Sequence, residues 1–178
     1  YARPSDGSTH RWCKLPVSAI TGRNARTASP STWSDFDTAM SYFKRNQSSL
    51  AGVGFVFSED DPFVGIDMDK CRNDKSGELS PWAQTLVDEL DSYTEVSPSG
   101  TGVKCIVQST ARIESRRKSS PGVEIYSADR FFTITGRQVG SQHTVNDRTK
   151  QLLKSHARLF PPAHREAHPP DQKHRRTN

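Results

Sequence analysis

The chain has 178 residues, 32% of them hydrophobic and 25% charged, with a formal net charge of +5. That length accommodates one globular domain with a core, or one domain and a tail. No apolar run approaches the roughly 20 residues of a membrane-spanning helix and no signal-peptide pattern opens the chain, so a soluble, cytoplasmic protein with no membrane partner is expected. The positive balance suits a polyanionic partner. The first residue is Tyr1 rather than Met, as in a piece of a longer product. Cys13, Cys71 and Cys105 are odd in number, far apart and in no C-x-x-C pair, which argues against a disulfide framework or a zinc site. His10 near Cys13 reads as incidental.

In chain order, Ser34 can cap a helix over Asp35 to Arg45, with Phe36, Met40 and Phe43 as its core-facing stripe. Strands follow at Val53 to Phe57 and Val64 to Asp69, joined by "SEDDP", short enough for a hairpin. Ser80 and Pro81 open a second helix in which Ala83, Leu86, Val87 and Leu90 recur at i, i+3, i+4 and i+7. Further strands are expected at Tyr93 to Ser97, Val103 to Gln108, Val123 to Tyr126 and Phe131 to Thr135, the last two joined as a hairpin by "SADR". Between them "RIESRRKSSPG" reads as a flexible polar loop whose Arg116, Arg117 and Lys118 suit the backbone of a polyanionic partner. A weaker helix runs from Asn146 to Leu159 with Leu152 and Leu153 inward. From Pro161 the prolines, charges and histidines His164, His168 and His174 show no apolar periodicity. Residues 1–160 are therefore expected to form the domain and 161–178 a disordered linker or tail. Strands interleaved with helices give an α+β class with a mostly antiparallel sheet and flanking helices.

Three stretches carry chemistry. In "VGIDMDKC" strand alternation puts Val64, Ile66 and Met68 on one face and Gly65, Asp67 and Asp69 on the other. Two carboxylates side by side disfavour each other's charge unless a cation compensates, although a solvated strand face remains open as a reading. In "SPSGTGVK" Gly100 and Gly102 permit a tight turn whose N–H groups can converge on an anion. Ser99 and Thr101 add hydroxyls there and Lys104 a charge, although a plain turn also fits. The Walker spacing is absent. In "GVEIYSADRFFTITG" Glu124 projects from a strand as a third acid, or pairs with Arg130 at the surface.

In this order, "GIDMD", "SPSGTGVK" and "EIYSADRFFTITG" resemble the three motifs of the archaeo-eukaryotic primase superfamily, most closely the primase-polymerase domains of phages and plasmids. The resemblance covers roughly Lys14 to Gly136 and takes in "PSTWSDFDTAM" and "GVGFVFSEDDPFVGIDMD". It implies an RNA-recognition-motif-like sheet and Mg2+- or Mn2+-dependent nucleotidyl transfer to a 3′-hydroxyl on a single-stranded DNA template, in many members without a primer. The setting it implies is replication of a phage, plasmid or other mobile element, with a helicase or other domain as a partner in the full-length protein. By resemblance, Asp67, Asp69 and Glu124 are the catalytic metal ligands, and Ser99, Gly100, Gly102 and Lys104 hold the nucleoside triphosphate. Arg130 would meet phosphate and Phe131 the sugar. Many members carry a histidine where this chain has Lys104, so a proton-donor role does not transfer. Two rivals stand beside this reading. One is a catalytically weak single-strand-binding module of the same fold. The other is a sugar-nucleotide transferase using D-x-D, which leaves the Ser/Gly stretch and the third acid unexplained.

Overall fold

The computed structural model describes residues 14–162. His10, Cys13 and, in the expected tail, His164, His168 and His174 lie outside the described residues. The elements are α1 (Phe36–Arg45), β1 (Val53–Phe57), β2 (Phe63–Met68), α2 (Pro81–Leu90), β3 (Thr94–Val96), β4 (Val103–Gln108), β5 (Arg116–Lys118), β6 (Val123–Tyr126), β7 (Arg130–Ile134) and α3 (Thr149–Leu159). The class is α+β, and every named strand pair is antiparallel. Five strands form one sheet in the order β3-β4-β2-β6-β5, while β1 and β7 form a separate two-stranded ribbon. No helix among the described residues is long and apolar enough to cross a membrane.

Period-2 alternation decides the layering. Val64, Ile66 and Met68 of β2, Val103, Cys105 and Val107 of β4, and Val123 and Ile125 of β6 share the back face. Ala83, Leu86 and Leu90 of α2 and Leu152 of α3 cover it. Cys71 and Cys105 are buried free thiols within this layer, and burial pushes the Cys105 thiol up to about 12. On the front face the ribbon lays Phe57 and Phe132 against Ile106, flanked by Phe55, Phe63, Tyr93 and Tyr126. Phe57 and Phe132 meet edge to face at 4.8 Å, a geometry aromatic pairs favour. Gly65 makes this close approach possible: a Cβ there would lie 2.4 Å from the Phe57 ring and 2.5 Å from the Phe132 ring. The front is thus apolar where the ribbon sits and polar beyond it.

Several expectations are corrected. Neither short connection makes a hairpin, because β1 and β7 pair with each other rather than with β2 and β6. After β1 the Asp61 carboxylate accepts from the N–H groups of Ser58 (3.1 Å) and Phe63 (2.9 Å), a local turn that hands the chain to the larger sheet. The polar "RRK" run is not a loop but the edge strand β5, paired with β6 through Arg116↔Ile125, Arg117↔Glu124 and Lys118↔Val123. Asp35, not Ser34, caps α1, its carboxylate accepting from Thr38 N–H at 2.7 Å. No α1 residue is fully buried and Phe36 is 69% exposed, so its stripe is not core. α3 starts at Thr149, because Asn146 and Arg148 pair through their backbones with Gln108. Leu152 is buried while Leu153, one step of helix further round, is exposed. The strands expected at Val64 to Asp69 and Phe131 to Thr135 lie one residue earlier, and Tyr93 to Ser97 shortens to Thr94–Val96.

Gly65→Ala drives a methyl group into the Phe57 and Phe132 rings. It is expected to lower the unfolding free energy by about 1–3 kcal/mol, as overpacking does. Urea denaturation measures this, and an unchanged midpoint would show that the ribbon can shift off the sheet without loss.

Candidate active site

Below the ribbon, strand register sets Glu95, Lys104, Asp67, Glu124 and Arg117 side by side across β3, β4, β2, β6 and β5. The Lys104 ammonium donates to Asp67 Oδ2 at 2.5 Å and stands 4.1 Å from the centre of the Phe132 ring. Lys104 is only 4% exposed. Asp67 Oδ1 is buried with no hydrogen-bond partner, an arrangement that calls for a donor or a cation. Glu95, fully buried, is satisfied instead: it accepts from the Tyr93 hydroxyl (2.7 Å) and from the N–H groups of Thr135 (2.9 Å) and Gly136 (3.0 Å).

Asp69 follows β2 and donates its N–H to Gly122 O at 2.7 Å. Two glycines give it room. A Cβ at Gly102 would lie 2.5 Å from Met68 O and 3.4 Å from Asp69 Cα, and one at Gly122 would lie 3.2 Å from Asp69 Cβ. The same Gly102 brings the 97–102 loop against the end of β2. In that loop the hydroxyls of Ser97, Ser99 and Thr101 form a chain with separations of 2.9 and 3.2 Å, and Gly100 turns the backbone at φ +81°. Two guanidinium groups hold the loop through its carbonyls: Arg72 on Gly100 O at 3.0 Å and Arg137 on Ser97 O at 2.7 Å. Between loop and strand lies a cleft of about 560 Å3 lined by Lys14, Asp67, Asp69, Ser97, Pro98, Ser99 and Lys104. Burial, and then the like charge of Asp67, raise the Asp69 pKa. Burial, and then the Lys104 ammonium, lower that of Lys14, against the pull of Asp67 and Asp69.

The structure therefore brings Asp67, Asp69, Ser99 and Lys104 to one cleft, with Gly100 and Gly102 shaping its loop. Glu124 is the register partner of Asp67, but its carboxylate accepts from the Tyr126 hydroxyl (2.7 Å) and Arg130 (3.4 Å). Arg130 in turn lies 4.7 Å over the Tyr126 ring. Burial and then the bond to Glu124 push the Tyr126 phenol up to about 12. As the side chains stand, no three His, Cys, Asp or Glu groups among the described residues converge on one metal position. Phe131 is not part of the cleft lining. A Cβ on Gly54 would meet its ring at 3.1 Å, and alternation along β7 turns it away from the face on which Phe132 meets Lys104. The lysine, the arginines and the carboxylate that complete the site, namely Lys14, Arg72, Arg137 and Glu95, were not legible as site residues. Only the two charges beside the Ser/Gly stretch in the fold, Arg72 and Arg137, have a partner in that motif, and the partners are backbone carbonyls that leave no mark in a sequence.

The donor set nonetheless suits a hard divalent cation, which takes carboxylate oxygens: Asp67 offers a partnerless buried oxygen, and Asp69 a carboxylate whose pKa is raised by burial and then by its neighbour's charge. No protein-family model matches the chain. The chain is similar to the DNA primase-polymerase of Nitratiruptor phage NrS-1, being 32% identical over 144 residues that make up 79% of this chain and 20% of that protein. It spans about a fifth of the length of the curated relative it matches.

The two aspartates have opposite consequences for stability. A folded-state pKa above the ordinary 3.8 means that the Asp69 site destabilises the fold once the group ionises. The associated stability is present below that value and is lost as pH rises through the folded pKa. Asp69→Asn is therefore expected to raise Tm at pH 7, with the gain fading as pH falls toward about 4. Asp67→Ala strands a buried ammonium and is expected to lower stability by about 3–5 kcal/mol. Melting curves across pH check both, and a destabilised Asp69→Asn would show that its carboxylate is compensated in the fold.

Proposed function

We propose that the chain is the catalytic portion of a phage-type primase-polymerase, joining nucleoside triphosphates along a single-stranded DNA template on the RNA-recognition-motif-like sheet that the motif resemblance implies. The similarity to the primase-polymerase of Nitratiruptor phage NrS-1 supports this reading. The observation that carries it is the meeting of the D-x-D acids and the Ser97–Gly102 loop across one cleft. We assign Asp67, Asp69 and Glu124 as the acids that hold Mg2+ or Mn2+. A bound divalent ion supplies Lewis acidity that activates the attacking 3′-hydroxyl and neutralises charge on the phosphates.

The chain's own groups then divide the remaining tasks. The hydroxyls of Ser99 and Thr101 and the turn at Gly100 present donors to a triphosphate. Arg130, whose bond to Glu124 is long and half-exposed, is free to turn to phosphate when that acid changes partner. The ring of Phe132 covers the Lys104 ammonium that pairs with Asp67. The work of the full-length protein, in replication of a phage, plasmid or other mobile element with a helicase or similar domain as partner, belongs to the same proposal. One observation favours the alternative, a single-strand-binding module with weak catalysis: Glu124 is turned to Tyr126 and Arg130 rather than to the other acids.

Extension assays with labelled nucleotide on single-stranded DNA, with and without a primer, decide between the two. Synthesis in Mg2+ or Mn2+ that falls to background in Asp69→Asn, the variant expected to melt above wild type, supports the enzyme, whereas tight DNA binding without synthesis in wild type supports the module. For the template, the edge strand β5 carries three exposed cations: Arg117 stands in the acid row opposite Glu124, while Arg116 and Lys118 alternate to the other face, opposite Ile125 and Val123. Neutralising all three is expected to flatten the salt dependence of single-strand binding by about 0.7 in log–log slope for each phosphate left without its cation. An unchanged slope would remove β5 from the interface.

A further inference from the structure

Two lysines line the cleft, and their surroundings differ. Lys104 is 4% exposed, with its ammonium fixed between Asp67 Oδ2 and the face of Phe132. For it to reach a ligand in the cleft, a buried ion pair would have to break, and both Asp67 oxygens would then lack partners, Oδ1 having none already. Buried pairs broken on one side are strongly unfavourable. Lys14, which precedes every strand, lines the same cleft and is exposed.

We propose that the two lysines have separate roles: Lys104 is a positioning residue that acts through Asp67, and Lys14 is the cation that meets the polyphosphate of a bound nucleotide. The proposal rests on the nucleotide reading above and deepens it. Lys104 holds one oxygen of Asp67, which fixes the carboxylate and leaves its other, buried oxygen without a hydrogen-bond partner. By pairing with Asp67 it leaves Asp69 as the acid with no ion-pair partner among the described residues, while Lys14 adds an exposed positive charge to the cleft that Ser97 and Ser99 also line. The lysine that replaces the family's histidine thus belongs to the acid row rather than to the phosphate loop.

Melting curves in EDTA of wild type, Asp67→Asn, Lys104→Met and the double variant test the first role without any ligand. Each single change is expected to lower Tm, and the double variant to lie well above the sum of the two losses. Adding MnCl2 is expected to raise the Tm of Lys104→Met more than that of wild type, because the ion restores the missing charge beside Asp67. Calorimetric titration with dATP in Mn2+ tests the second role. Lys14→Ala is expected to weaken binding about tenfold, with Lys14→Arg recovering most of it and the Mn2+-induced Tm rise unaltered. Additive losses in the cycle, or a Lys104→Met that weakens dATP as Lys14→Ala should while keeping the wild-type Mn2+ response, would overturn the role of Lys104. Unchanged dATP affinity in Lys14→Ala would overturn that of Lys14. A wild type that bound neither Mn2+ nor dATP would remove the polymerase reading and the Lys14 role with it, and the EDTA cycle would still decide the role of Lys104.

Discussion

The missing side chain at Gly65 sets the place where the front of the sheet stops being core and becomes site. Any Cβ there would collide with Phe57 and Phe132, so the height at which the ribbon docks depends on that one residue. Two positions further along the same strand and the same face, Asp67 emerges just clear of the ribbon, next to the ring of Phe132 that also covers Lys104. The aromatic cover therefore ends where the charges begin. The low-dielectric wall it provides strengthens every interaction made beneath it.

The acid row follows from this boundary. Antiparallel neighbours on one face interact directly, and opposite charges across strands stabilise while like charges oppose each other. Reading across the sheet, Glu95 is neutralised by backbone donors, Lys104 by Asp67, and Glu124 by Tyr126 and Arg130. Each acid of the row has a partner except for one oxygen of Asp67, and the Asp69 carboxylate behind it has none among the described residues. The surplus negative charge of the row is thus concentrated at one end of β2, against the Ser/Gly loop that Gly102 allows to approach. Local sequence produces the acids and the loop, and sheet register brings them together.

What could be read beforehand was whatever local chemistry encodes. The apolar alternation of Val53–Phe57, Val103–Gln108 and Val123–Tyr126 delimits three strands at their true ends, and the Ser80-Pro81 start with its i, i+3, i+4, i+7 stripe gives α2. The D-x-D and Ser/Gly motifs were legible because their residue types are unusual for a strand and a turn. Strand partners were not, because a short connection suggests a hairpin whether or not another strand competes, and β7 prefers the ribbon. β5 was invisible for a different reason: Arg116, Arg117 and Lys118 carry no apolar signal, and the strand is held by its ladder to β6 and a bond from Lys118 to Leu159 O. At Phe131 and Phe132 strand alternation sets the two rings on opposite faces, and Phe132 is the buried one. Which face looks toward the cleft depends on how the ribbon docks, and no period of two contains that. Phe36 shows the converse, since a helical stripe states which residues share a side and not whether anything covers it.

The edge formed by β5 has a further consequence, for how copies of the protein behave beside one another. A sheet's last strand presents unpaired N–H and C=O groups on which a second sheet can continue. At the other end of this sheet, β3 is already occupied, its backbone bonded to Arg137 and Val139. At β5 all three residues are exposed, so two copies approaching edge to edge would press one set of guanidinium and ammonium groups against another. The strand is also only three residues long, too short to offer a growing fibril more than a few bonds. The open edge therefore resists self-templating by charge and by brevity, and remains open to a strand of opposite charge.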